Sequence, residues 1–168
     1  MSVPPGVAGQ TGCMPEPEDA ITAHSGKRLS NADLISRAAE ALNPQMLGEG
    51  FWVADVGAAV EAEDGQVFTG ACIGGYLAIC AEMGALSQLV AATTPTITRV
   101  VAVWRNPADA ALHVIPPCGR CRELIRTMSQ QNLEATVILG PDHTTTLRDL
   151  LPYAGWHAEQ VHTRGPAD

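Results

Sequence analysis

Two short stretches decide how this sequence is interpreted: Cys80-Ala81-Glu82 and Pro117-Cys118-Gly119-Arg120-Cys121. Together they supply three thiols and one carboxylate, those of Cys80, Cys118, Cys121 and Glu82. Structural zinc is usually held by four protein side chains, whereas catalytic zinc is held by three and keeps its fourth position open. The pattern therefore predicts a catalytic zinc site in which the three cysteines are the ligands and the carboxylate is not.

The spacing within each stretch is typical of the first turn of a helix. The pair Pro116-Pro117 favours the start of a helix, and two cysteines separated by two residues on its first turn present both sulfurs to one ion. We expect Cys80 to begin another helix, so that Glu82 points toward the open metal position. Both helix N-termini, each with about half a positive charge, would face the metal and lower the pKa of the thiols.

Three other interpretations of these cysteines stay open at this point. A Cys-x-x-Cys pair at a helix start also occurs in thiol oxidoreductases, which need no third cysteine. A structural zinc would need a fourth ligand, for which His113 and Cys72 are candidates. Buried inert cysteines would leave the co-occurrence of the two stretches to chance. Zinc measured in freshly purified protein would exclude the oxidoreductase.

Length and composition fit one small domain. A chain of 168 residues is long enough to bury about two-thirds of its unfolded surface. No run approaches the roughly 18 apolar residues of a membrane helix, and Met1–Gln10 lack the basic and apolar segments of a signal peptide. Five cysteines, three of them assigned to a metal, fit a reducing compartment. We expect a cytoplasmic protein with no membrane partner.

The charge of the chain disfavours a nucleic-acid partner. The net charge is −8, whereas binding of phosphates requires clustered Lys and Arg side chains. The only local basic cluster consists of Arg120, Arg122 and Arg126, and it coincides with the second cysteine stretch. The main effect of the acidity is solubility. A small-molecule substrate is favoured.

Hydrophobic periodicity predicts the element order αββαβαβ. The predicted elements are a helix from Ser30-Asn31 to Leu42, hairpin strands 51–61 and 66–72, a helix from Cys80, a buried strand 98–104, a loop with Pro107 and Pro116-Pro117, a helix 118–128, a strand 135–139 and a short helix or strand at 146–151. Residues 1–27 are predicted to be a flexible tail, 28–160 a single domain and 161–168 a C-terminal tail. The order implies a mixed sheet with helices on both faces.

Five segments of the chain, between residues 31 and 156, resemble those of the cytidine deaminase family and occur in the family's order; within it the pattern is most similar to the blasticidin-S deaminases. The segments are Val56-Gly57-Ala58-Ala59, Asp64–Gly70, Ile79–Glu82, Pro117–Arg122 and Leu150-Leu151-Pro152. The resemblance implies a three-layer α/β/α fold with a mixed, mainly five-stranded sheet. It also implies a homotetramer with one zinc ion per subunit that releases ammonia from an aminopyrimidine.

The resemblance also implies roles for individual residues. Glu82 is expected to be the catalytic proton shuttle, which takes a proton from water and passes protons to the ring nitrogen and to the leaving amine. Backbone groups around Ala81 are expected to hold the ring. Trp156, after Leu150-Leu151-Pro152, is expected to stack over the bound base, to close a neighbouring subunit's site, or to pack in a subunit interface.

Departures from the family pattern concern the substrate. Cys72 and Gly74 stand where nucleoside deaminases carry an Asn and a Glu that bind the ribose hydroxyl, and Ala54 stands where the family has a Phe near the base. We therefore expect a cytidine analogue or a blasticidin-S-like nucleoside as the substrate. Two alternatives are an ordinary cytidine or deoxycytidine deaminase of pyrimidine salvage, and a zinc-containing protein that binds a ligand or partner without catalysis.

A further departure concerns charge at the metal. Three thiolates on one Zn²⁺ leave a net charge of about −1, which weakens the metal as a Lewis acid. Many family members compensate with an Arg directly after the catalytic Glu, where this chain has Met83. Arg120, and next Arg122, are the predicted replacements. The alternative for Arg120 is a solvated surface charge.

Overall fold

A computed structural model of the chain describes residues 28–74, 78–106 and 108–153. Within these ranges the helices are α1 Asn31–Glu40, α2 Ala81–Ala92 and α3 Gly119–Met128, with short 3-10 helices at Gly48–Gly50 and Gln130–Glu134. The strands are β1 Gln45–Leu47, β2 Phe51–Ala62, β3 Val67–Ile73, β4 Ile97–Arg105, β5 Leu112–Ile115, β6 Thr136–Gly140 and β7 His143–Thr146. The two predicted tails lie outside the described residues.

The strands form one mixed sheet. Antiparallel pairing joins β2 to both β3 and β4, β4 pairs with β6 in parallel, and β6 pairs with β7 in antiparallel fashion. The short strands β1 and β5 pair with the start of β2 and the end of β4. The mixed sheet with five main strands predicted from the sequence is confirmed, and two short strands extend it.

Helices cover both faces of this sheet. The first face, which we call the α1 face, buries Leu34 and Ala38 against Val101 and Ile138. The second, the metal face, carries α2 and α3, whose buried side chains Leu86, Leu89 and Ile125 pack against Val60, Val100 and Val137. The predicted three layers are therefore confirmed. In the part of the chain that the structure describes, no helix is long and apolar enough to span a membrane.

Each helix layer begins as its sequence predicts. Ser30 caps α1 through a capping box with Asp33, in which each side chain accepts a hydrogen bond from the other residue's backbone N–H. The extended residues Cys80 and Cys118 directly precede α2 and α3, and Pro117 beside Cys118 is fully buried. The predicted starts of the two cysteine-bearing helices are confirmed.

Glycines let two helices approach the sheet closely. A Cβ at Gly57 of β2 would lie 2.2 Å from the carbonyl oxygen of Ala38 in α1. A Cβ at Gly70 of β3 would lie 2.4 Å from the backbone nitrogen of Ala85 and 2.5 Å from the carbonyl oxygen of Ala81 in α2. Such distances are impossible for a real side chain, so both glycines fix the height of a helix above the sheet.

Sequence prediction was wrong in the shortest elements. The segment predicted as a loop before α3 contains β5, and the segment after α1 contains β1. The last predicted element, 146–151, is displaced: the strand is His143–Thr146, and Leu147–Leu150 form a turn with a 3.1 Å backbone hydrogen bond. Strands of three or four residues are too short to show an alternating pattern, so pairing with a neighbouring strand determines them.

Candidate metal centre

Three thiols converge where α2 and α3 begin. Cys80 immediately precedes α2, Cys118 immediately precedes α3, and Cys121 lies on the first turn of α3. Their sulfur atoms all lie within 4.8 Å of one another, with Cys80 Sγ 3.5 Å from Cys118 Sγ. Paired backbone hydrogen bonds of 2.9 Å between Ile73 and Ile79 return the chain from β3 to Cys80. The predicted ligand triad is thus brought together by the fold.

The geometry of the triad fits zinc. Zn–S bonds of about 2.3 Å in a tetrahedral arrangement place two sulfurs about 3.8 Å apart. The Cys80–Cys118 pair, at 3.5 Å, is close to this separation, and every other sulfur pair lies within 4.8 Å. Among the described residues no fourth His, Cys, Asp or Glu joins the group. His113 instead stacks on Trp104, and Cys72 forms a hydrogen bond with Asp55. Three converging ligands favour an open catalytic site over a closed structural zinc or a redox pair.

Glu82 lies beside the triad and is shielded from solvent. Its residue is 4% exposed on the first turn of α2, and its carboxylate shares a hydrogen bond with the Cys121 thiol. Burial raises the pKa of Glu82 above its ordinary value, because the charged form loses water. A carboxyl group in this position can both hold and release a proton near the metal ligands.

The two thiols of α3 differ in acidity. Burial opposes ionisation of Cys118, but hydrogen bonds from the backbone of Cys121 and from the neighbouring thiols outweigh it, so the pKa of Cys118 is lowered. Burial and the nearby Glu82 charge raise the pKa of Cys121, so the lowering predicted for every thiol is wrong at that position. A bound divalent cation would instead favour the thiolate form of Cys121, since a coordinating thiol loses its proton outright.

The two predicted charge-compensating arginines make different contacts. Nη2 of Arg120 donates to Cys80 Sγ at 3.7 Å and to the carbonyl oxygen of Ala78, although the residue is exposed. Arg122 donates to the carbonyl oxygens of Pro117 and Leu150 at 2.7 and 3.0 Å. Arg120 therefore contacts the sulfur of a predicted ligand, whereas the hydrogen bonds of Arg122 hold the chain around the start of α3. Charge compensation by either residue stays a prediction.

The structure describes three of the four residues that are predicted to contact the substrate. Ala81 is fully buried, and Cys72 packs against the small cluster that contains it. The Gly74 N–H donates to the Trp52 carbonyl oxygen at 3.0 Å, so this backbone donor is already engaged within the protein. Trp156 lies outside the described residues. Substrate binding by all four residues stays a prediction.

Sequence reasoning missed a polar row next to this cluster. Asp55 accepts hydrogen bonds from Cys72 Sγ at 3.0 Å and from Trp104 Nε1 at 3.3 Å, and Trp104 stacks on His113 with ring centroids 5.6 Å apart. The signal was weak because strand alternation assigns Asp55 to the α1 face. A bulge in β2 between Val53 and Gly57 shifts the register there.

Comparison with known proteins connects this arrangement to deaminases. The chain is 29% identical over 103 residues to a blasticidin-S deaminase from Bacillus cereus, across 58% of this chain and 74% of that protein. No family model matches the chain.

Solved structures support the same relationship. The cytidine deaminase of Burkholderia pseudomallei matches with a TM-score of 0.58 and 29% identity, across 76% of this chain and 100% of that one. The cytidine deaminase of Mycobacterium tuberculosis matches with a TM-score of 0.51 and 28% identity, across 73% of this chain and 90% of that one. These matches confirm the predicted fold and the resemblance to the cytidine deaminases.

Proposed function

We propose that this protein is a zinc-dependent hydrolase that removes the exocyclic amine of a cytosine-type aminopyrimidine and releases ammonia. The observation that carries the proposal is the convergence of three thiols at two helix starts, with a buried carboxyl group, Glu82, beside them. Three ligands suit a catalytic rather than a structural zinc. The related cytidine and blasticidin-S deaminases support the choice of reaction.

The chemistry combines one metal function with one proton carrier. Bound zinc supplies a Lewis acid that lowers the pKa of water. Glu82 takes the proton of the attacking water and passes it to the ring nitrogen, while oxygen adds to the carbon that bears the amine. Glu82 then takes the proton of the added hydroxyl group and passes it to the leaving amine, and the carbon–nitrogen bond breaks to release ammonia and leave a carbonyl on the ring. Burial of Glu82 keeps bulk water away from these transfers.

Arg120 has a supporting role in this proposal. Three thiolates and Zn²⁺ together carry a net charge of about −1, which holds back the acidity of water. The Arg120 guanidinium, which contacts Cys80 Sγ at 3.7 Å, offsets part of that charge. The Glu-adjacent position that often carries an Arg in the family is Met83 here.

The proposed substrate is a cytidine analogue or a blasticidin-S-like nucleoside rather than plain cytidine. The side chains at positions 72 and 74 lack the amide and carboxylate with which nucleoside deaminases bind ribose. A hydroxyl that loses its hydrogen-bond partners binds poorly. Cytidine should then show a kcat/KM below the roughly 10⁴ M⁻¹s⁻¹ of slower ordinary enzymes. Ordinary cytidine or deoxycytidine deamination is the alternative.

A cytoplasmic homotetramer completes the proposal. Ile73 and Ile79 are paired by a β-bridge and stay 53% and 41% exposed, which supports cover by another subunit. A non-catalytic member that merely binds a ligand or partner is the remaining alternative. The intact Glu82 beside a complete thiol triad favours the enzyme over it.

The test measures ammonia release from cytidine, deoxycytidine, cytosine, blasticidin S and related aminoheterocycles by the zinc-loaded protein. Glu82→Gln should keep zinc and the fold but lower kcat on the best substrate by about 10²–10⁴-fold, because it removes the general acid–base. Glu63→Gln, which changes an exposed carboxylate in the β2–β3 turn, is the matched control and should leave kcat unchanged.

Two outcomes would contradict the proposal. Wild-type turnover in Glu82→Gln would show that this residue is not the proton carrier. Absence of ammonia from every compound, with zinc bound, would favour the non-catalytic alternative.

A further inference from the structure

Four adjacent strands carry one row of side chains on the metal face. The row consists of Cys72 on β3, Asp55 on β2, Trp104 on β4 and His113 on β5. Trp104 is the cross-strand partner of both Val56 and His113. Contacts therefore run without a break from one strand to the next, with a carboxylate near the middle.

A local distortion of β2 brings Asp55 into this row. Regular alternation would place residue 55 on the α1 face with Gly57 and Ala59. Ala54 has a φ of 54°, a left-handed value that is rare outside glycine, and the pairing register shifts there. Bulges often redirect a side chain next to a functional site. Here the redirected side chain is a carboxylate.

The row lies next to the candidate metal centre. Cys72 and Val56 pack against the small buried cluster of Ala58, Ala81 and Ala102, and Ala81 separates a proposed zinc ligand from the proposed proton carrier. The strands at the two ends of the row, β3 and β5, lead directly into the segments that carry Cys80 and Cys118. Asp55 is thus connected through Cys72 to the cluster that contains Ala81, the residue between Cys80 and Glu82.

The charge of Asp55 has no cationic partner in the described part of the chain. None of the ion pairs formed there includes this carboxylate, and its donors are a thiol and an indole N–H, which are neutral. Burial, with the Asp55 hydrogen bond, raises the pKa of Cys72 and keeps this thiol a neutral donor. Two donors leave acceptor sites free on a carboxylate, which has about four.

We propose that Asp55 is a specificity-determining residue that binds a positively charged amine on the ring substituent of the substrate. The inference rests on the proposed deaminase function and adds a substrate class to it: cationic aminopyrimidines. A neutral hydroxyl would use the same acceptor oxygens but would leave the charge uncompensated. Cys72 and Trp104 act as positioning residues that fix the two carboxylate oxygens.

The test compares cytosines that carry an aminoethyl or aminopropyl group at N1 with the matching hydroxyethyl and hydroxypropyl compounds. For at least one chain length, wild-type kcat/KM should favour the amine by about 10–100-fold, the usual value of one charge-assisted hydrogen bond. Asp55→Asn keeps the shape and removes the charge, so the preference should fall to near one. Asp142→Asn removes an exposed charge from the β6–β7 turn and is the control.

A second variant separates positioning from folding. Trp104→Phe keeps an aromatic ring against His113 but removes the indole donor, so it should raise KM for the amine several-fold more than KM for the matching hydroxyl compound. Zinc content and thermal unfolding of each variant show whether it is folded.

The outcomes separate the two proposals. Equal kcat/KM for amine and hydroxyl in the wild type, or a preference that survives in Asp55→Asn, would overturn the role of Asp55 while the deaminase stands. If none of these compounds releases ammonia, calorimetric Kd values for the same amine and hydroxyl pairs test the role of Asp55 instead. Equal Kd values in the wild type, or a preference for the amine that survives in Asp55→Asn, would overturn it. Ammonia release from other cytosines then decides the deaminase separately.

Discussion

The two faces of the sheet differ in how their carboxylates are paired. On the α1 face, Glu61 and Arg99 form a two-pronged ion pair with both N···O distances at 2.6 Å, and the residues are 3% and 6% exposed. On the metal face, buried Glu82 and half-buried Asp55 form no ion pair with a cation of the described part of the chain. Among the described residues, the buried carboxylate of the first face is paired with a cation, whereas the two carboxylates of the second face are assigned to the proposed metal site and substrate.

The difference in ion pairing between the two faces does not come from a difference in helix packing. Each face uses one glycine, Gly57 or Gly70, to bring a helix against the sheet. Buried charge in a finished structure is paired, and unpaired buried charge is costly. Retained unpaired carboxylates therefore indicate function more strongly than packing does.

The largest effect should come from the thiol triad. Alanine at Cys80, Cys118 or Cys121 removes one of three proposed ligands, and we expect loss of zinc together with activity. Cys72→Ala, which removes a thiol from the same face but outside the triad, should keep one zinc per chain. Elemental analysis of the purified variants measures both. Full zinc in any triad variant, or zinc loss in Cys72→Ala, would contradict the assignment.

The triad was predictable because its signal is local. Cys-x-Glu and Pro-Cys-x-x-Cys place their side chains within single helix turns, and Ser30 marks the α1 start by its own hydrogen bonds. The position of Asp55 was not predictable, since it depends on a bulge that only pairing between strands defines. The strands β1 and β5 were missed for the same reason.

The next largest effect is expected from alanine substitution of Gly57 and Gly70. Alanine at either position forces a helix and the sheet apart, and we expect each to lower the free energy of unfolding by about 1–3 kcal/mol. Gly70→Ala should also weaken zinc binding and lower kcat, because its new methyl group meets the Ala81 carbonyl beside the metal helix start. Gly57→Ala should not, because it meets α1.

Urea unfolding and zinc titration of both variants make this comparison. Normal zinc affinity and kcat in Gly70→Ala would show that the metal face tolerates the shift. Equal losses of zinc affinity in both variants would show that the two faces are coupled through the sheet.

The smallest effect concerns the pH dependence of stability on the α1 face. Burial alone would raise the pKa of Glu61. Hydrogen bonds from Arg99 and Thr98 and the charge of Arg99 outweigh burial, so the pKa in the folded protein lies below the ordinary value. The unfolded chain therefore binds this proton first as the pH falls. The stabilisation by the ionised carboxylate is complete above the unfolded pKa of about 4.3 and disappears as the pH falls through the folded value.

Glu61→Gln should accordingly be less stable than the wild type by a constant amount between about pH 6 and pH 8, and the gap should narrow below about pH 4.3. One proton limits the slope to about 1.4 kcal/mol per pH unit. Urea unfolding across this range measures the gap, and Glu40→Gln, in the exposed Arg37–Glu40 pair, is the control that should show almost none. Because Glu61 lies on the face without the metal helices, zinc content and kcat at neutral pH should stay unchanged. A gap that stays constant or widens in acid would show that the Glu61 carboxylate is not stabilised by Arg99. The α1 face would then no longer differ from the metal face by a stabilising ion pair.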